Sequence, residues 1–105
     1  MEFEIRDIKD NITNVARKIG YLILEAKTPN EYNMVRKLTG QHYPRFHVYC
    51  KQAGDRFNFS LHLDQKQPSY EGSHAHSGEY FGPVVEAEKD RITVILQKIK
   101  KPANA

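Results

Sequence analysis

Two imidazoles, a carboxylate and several cations share the stretch from Arg45 to Asp64. Their spacing sets them apart from an apolar column once successive side chains alternate along extended backbone. Arg45, His47, Tyr49 and Lys51 alternate with Phe46, Val48 and Cys50; Arg56, Asn58, Ser60 and His62 alternate with Phe57, Phe59 and Leu61. These residue types suit three kinds of chemistry. Arg45, Lys51 and Arg56 can neutralise phosphates, Tyr49 can stack on a base, and His47 and Asn58, with His62 beside them, can hydrogen-bond base edges or 2′-hydroxyls. Such a face would bind nucleic acid, RNA before DNA, and needs no cofactor. Alternatively, His47 and His62 can serve as base and acid in phosphodiester cleavage, with Arg45 or Lys51 meeting the charge that develops on the phosphorane. The third chemistry is metal binding: His62, Asp64, His74 and His76 offer donors for Zn²⁺ or another divalent transition metal. No nucleophile elbow, phosphate-cradling glycine loop or dinucleotide fingerprint is present.

A single β-hairpin must position these groups. With strands on either side of Gln52-Ala53-Gly54-Asp55, Lys51 opposes Arg56, Tyr49 opposes Asn58, His47 opposes Ser60 and Arg45 opposes His62. Phe46–Leu61, Val48–Phe59 and Cys50–Phe57 then form the apolar column. A three-residue loop closed by a bulge at Gly54 would mix polar with apolar on both faces. A two- or four-residue loop keeps them separate, so the hydrophobic pattern selects an even-numbered loop.

Around the hairpin, Ile5, Ile8, Ile12, Val15 and Ile19 recur at spacings of three and four, which predicts a helix from about Glu4 to Ile19 stopped by Gly20. Tyr21 to Ala26 is nearly continuous apolar sequence and predicts an interior strand buried on both faces. Tyr32 to Thr39 predicts a further strand. From Pro83 the helical period returns, with Val85, Ile92, Ile95, Leu96 and Ile99 on one face and lysines gathering at the end. Residues 102–105 read as a frayed tail. The expected fold is α+β: one domain over residues 1–105, an antiparallel sheet of three to four strands, and N- and C-terminal helices packed on one face.

Residues 65–82 do not fit the usual connection of about 4–6 residues. Their glycines, tyrosines and His-x-His pair predict an ordered loop that folds back over the polar face or its edge. Tyr70, Tyr80 and Phe81 in that loop are the candidate anchors for a protein partner.

With 16 Lys and Arg against 13 Asp and Glu, the net charge of +3 is a mild tilt toward polyanions. A lone cysteine, Cys50, excludes a disulfide framework and suits a reducing compartment. No run approaches the roughly 18 apolar residues of a membrane span, and the first residues lack the features of a secretory signal, so a cytoplasmic protein is expected.

The passage from Lys27 to Lys51 resembles the double-stranded-RNA-binding domain family, with Tyr32, Gly40 with His42, and Phe46 with Val48 in the places of that family's strand and turn motifs. The resemblance implies an α-β-β-β-α layout and an RNA partner. It lacks the family's lysine-rich start to the last helix, since Pro83 to Glu88 is apolar and acidic.

Overall fold

The computed structural model describes residues 1–65, 78–79 and 81–99, with backbone alone at 78–79. The elements run β1 (Glu2–Ile5), α1 (Ile12–Ile19), β2 (Leu22–Thr28), β3 (Glu31–Lys37), β4 (Arg45–Ala53), β5 (Arg56–Asp64), β6 (Gly78–Glu79) and α2 (Pro83–Ile99). Five strands form an antiparallel sheet in the order β1-β5-β4-β3-β2, and β6 pairs with the end of β5. The α+β class is as expected, with more strands than the sequence suggested. No helix among the described residues is long and apolar enough to cross a membrane.

The extra strand comes from the segment read as the start of a helix. Ile5, Ile8, Ile12, Val15 and Ile19 are all buried, but the first two reach the core by different routes. Ile5 lies on β1 opposite Phe57, next to Phe3, whose ring stacks on Phe59 at 5.1 Å. Ile8 sits in the connection, where its N–H donates to the Asp55 carbonyl at 3.0 Å. Asp7 takes φ 63°, which a helix cannot hold, and Asn11 caps α1 by accepting from the Asn14 N–H at 2.8 Å. Gly20, at φ 83°, ends the helix in the left-handed conformation that glycine adopts without a Cβ clash.

β2 is an edge strand, not the interior strand expected from its composition. Only one of its faces is covered: Tyr21 and Ile23 meet the core, whereas Leu22 and Leu24 are exposed. An apolar run alone does not specify burial on two faces; neighbours on both sides of the sheet are required.

One hydrophobic cluster unites the sheet face made by Met34, Phe46, Val48, Cys50, Phe57, Phe59, Leu61 and Leu63 with Ile12, Val15, Ala16 and Ile19 of α1 and Val85, Ile92 and Leu96 of α2. Each Val, Leu, Ile, Phe or Met side chain among them stabilises the fold by about 1.5–3 kcal/mol relative to exposure. Ile99, expected on the buried face of α2, is 37 % exposed, and Glu88 takes a place in the apolar stripe instead.

The hairpin turn is shorter than predicted. Ala53 pairs with Arg56, leaving Gly54 and Asp55 as a two-residue turn with Gly54 at φ 65°. Relative to the predicted register, each residue of β4 moves two places along β5. An even shift preserves the faces, so the polar side stays polar. It changes every cross-strand partner.

Candidate functional site

The two-residue turn puts His47 directly opposite His62, Arg45 opposite Asp64, Tyr49 opposite Ser60 and Lys51 opposite Asn58. These pairs replace His47–Ser60, Arg45–His62, Tyr49–Asn58 and Lys51–Arg56. The consequence is local and chemical. Adjacent same-face positions on β4 and β5 now form a square with Arg45 and His47 on one side and Asp64 and His62 on the other.

Three of its members converge. His47 Nδ1 and His62 Nε2 lie 3.1 Å apart with their rings edge-on, centroids 4.7 Å apart and planes at 84°. His62 Nε2 also lies 2.8 Å from Asp64 Oδ1. One ligand atom from each of His47, His62 and Asp64 falls within 4.8 Å of the other two. The second carboxylate oxygen, Oδ2, is 3.5 Å from Arg45 Nε, and the Arg45 guanidinium lies over the Tyr43 ring at 4.6 Å. Arg45 Nε is buried and, among the described residues, has no hydrogen-bond acceptor.

The square is half-buried: the side chains of His62 and Asp64 are 20 % and 19 % exposed. Val35, opposite His47 on β3, is buried on the polar face and gives the cluster an apolar flank. Burial, and then the nearby His62, hold His47 below the usual imidazole range. Burial pushes Asp64 upward, but the hydrogen bond to His62 and the charges of His62, His47 and Arg45 outweigh it and leave the carboxylate below its ordinary value. The two shifts favour the ionised form of Asp64 and the neutral form of His47.

The other expected binding residues do not join this cluster. Lys51, Asn58 and Arg56 are exposed toward the turn. Four strand residues separate His47 from Lys51, which is about 13 Å at 3.3 Å per residue. Carboxylates interleave there: Glu31 faces Lys51, Glu4 faces Asn58 and Glu2 faces Ser60. Tyr49 lies between the two ends, its hydroxyl donating to Glu31 and its ring facing Lys27 Nζ at 5.4 Å. The polar face is therefore a mixed-charge surface with one dense cluster, not a continuous cationic track.

His62 and Asp64 of the expected metal set are brought together, while His74 and His76 lie outside the described residues, as do Tyr70 and Tyr80. Phe81 is described and 75 % exposed. The long loop itself falls mostly outside the described residues, but β6 pairs Gly78 with Asp64, so backbone returns beside the square. Sequence reasoning had every member of the square but not the grouping of His47 with Asp64, because two residues of register separate the two arrangements.

Comparison with known proteins found no matching family model, no matching curated protein and no matching solved structure.

Proposed function

We propose that the protein is a histidine- or metal-dependent phosphodiesterase acting on nucleic acid, RNA before DNA, presented to the polar face of the sheet. The observation that supports this reading is the approach of His47 Nδ1 to His62 Nε2 at 3.1 Å beside Asp64 and Arg45. Cleaving a phosphodiester removes a proton from the attacking oxygen and returns one to the leaving oxygen, while negative charge gathers on the phosphorane. Paired imidazoles suit the proton steps, Asp64 orients His62, and Arg45 lies where a phosphate oxygen would need positive charge.

The charge pattern argues for a short substrate. Lys37 pairs with Arg45 at the cluster end, whereas Lys51 sits among Glu4, Glu31 and Asn58 at the other. One or two phosphates near the square meet a cationic excess; a long strand would meet carboxylates.

The test is incubation of tag-free protein with a short mixed-sequence single-stranded RNA and its DNA counterpart. RNA cleavage is expected, and His47→Ala and His62→Ala should each lower its rate at least about 100-fold while the circular dichroism spectrum is retained. No cleavage of either oligonucleotide, or an unchanged rate in both variants, rejects the reading.

A further inference from the structure

We infer that His47, His62 and Asp64 form a three-ligand seat for a divalent transition metal of the Zn²⁺ class. The inference deepens the phosphodiesterase reading by naming the cofactor of the same site, and rests on it for the reaction but not for the binding. It differs from the set read in the sequence, since His47 supplies a ligand beside His62 and Asp64 where that set had His74 and His76.

The geometry is close to what such an ion requires. At metal–ligand distances of about 2.0–2.1 Å, a tetrahedral site holds neighbouring donor atoms about 3.3 Å apart. Here His47 Nδ1 is 3.1 Å from His62 Nε2, which is 2.8 Å from Asp64 Oδ1. Seating an ion opens these two separations by a few tenths of an ångström and sets the third, between His47 and Asp64 and within 4.8 Å here, to the same spacing, a change within the reach of side-chain rotation.

The donors also match one another. His62 Nε2 lies within hydrogen-bond range of both Asp64 Oδ1 and His47 Nδ1. A single N–H can point well at only one of them, whereas a cation at the centre satisfies all three lone pairs. Asp64 presents Oδ1 to His62 and Oδ2 to Arg45. A neighbouring cation on the second oxygen orients a ligating carboxylate for one-oxygen binding, as the outer partners of metal sites do. Two imidazoles and one carboxylate select a borderline ion such as Zn²⁺ over Mg²⁺ or Ca²⁺, which favour all-oxygen sites.

Three protein ligands leave a fourth position, and partial exposure of the square leaves it open to water and substrate, the arrangement of catalytic rather than structural zinc. With an ion bound, the imidazoles are ligands and the nucleophile is a polarised water. Its oxygen forms the new P–O bond as the bond to the leaving alkoxide breaks, one proton passes to the leaving oxygen, and no group changes oxidation state.

The experiment titrates tag-free full-length protein with Co²⁺ and Zn²⁺, following visible absorption, calorimetry and histidine resonances by NMR. Expected are one ion per chain, displacement of Co²⁺ by Zn²⁺, and shifts of the His47 and His62 resonances with His42 unmoved. His47→Ala and Asp64→Asn should each weaken binding at least about 100-fold, and His42→Ala should not change it. The NMR readout needs no variant, so a folding defect in either leaves the test intact. Absence of stoichiometric binding overturns the inference. So does binding that survives His47→Ala and is lost in His74→Ala or His76→Ala. Cleavage of RNA that persists in chelator, with no ion bound, removes the metal and leaves the phosphodiesterase reading; a bound ion with no cleavage leaves the metal seat and removes that reading.

Discussion

Replacing Glu88 by alanine should destabilise the fold by about 3 kcal/mol, the low end of the cost of breaking a buried ion pair. The carboxylate is 3 % exposed, within the apolar stripe of α2. Its Oε2 accepts from the Tyr21 hydroxyl at 2.6 Å and from Arg91 Nη2 at 2.9 Å, and its Oε1 accepts from Arg91 Nε at 2.7 Å. Arg36 Nε stands 3.9 Å away, and Arg91 Nη2 also donates to the Ile19 carbonyl at 2.6 Å, so the group ties α2 to the end of α1 and the start of β2. Alanine would leave two guanidinium groups without their shared anion and a buried phenol without its acceptor. The guanidinium side chains are 28 % and 30 % exposed, so water recovers part of the loss, which is why the low end applies. For a domain of this size the loss corresponds to a fall in Tm of roughly 12–24 °C. The assay is urea and thermal unfolding followed by far-ultraviolet circular dichroism, with Tyr21→Phe and the double variant completing a cycle. A loss under about 1 kcal/mol, or a coupling to Tyr21 under about 0.5 kcal/mol, would refute the reasoning.

Burial, and then the charge and hydrogen bond of Glu88, raise the Tyr21 phenol above its ordinary value. The folded protein therefore keeps this proton to higher pH than the unfolded chain. Its contribution is complete below pH about 10 and lost as pH climbs beyond that, and Tyr21→Phe should flatten the alkaline slope of stability. Asn11→Ala removes the acceptor of the Asn14 N–H and should cost about 1 kcal/mol in urea unfolding, whereas Asn11→Asp should cost little.

Much of the fold was legible because burial is written as periodicity. The alternation of Phe46, Val48 and Cys50 against Phe57, Phe59 and Leu61 located the core face of the hairpin, and all six are buried. The same logic marked Ile5 and Ile8 as core residues but assigned them a helix. A spacing of three does not reveal that a strand and a turn deliver the two side chains, and the signals that break the helix are Asp7 in left-handed backbone and the Asn11 cap. Glu88 follows Glu86 near the start of α2, where carboxylates also suit the helix dipole. Its position three residues after Val85 and four before Ile92 placed it in the buried stripe, which is the clue to a partnered carboxylate.

The chemistry of the polar face divides in the same way. Side-chain alternation by itself determined that Arg45, His47, His62 and Asp64 point away from the core, since a strand has a period of two residues whatever it pairs with. Which of them meet was decided only by tertiary structure. A turn of two residues and one of four satisfy the hydrophobic pattern equally. The choice lies in contacts distant in sequence: the Gln52 side-chain amide donates to the Asp10 carbonyl at 2.9 Å, the Gln52 N–H to the Asn30 carbonyl at 2.9 Å, and the Ile8 N–H to the Asp55 carbonyl at 3.0 Å. Those bonds bring two imidazoles and a carboxylate to one point.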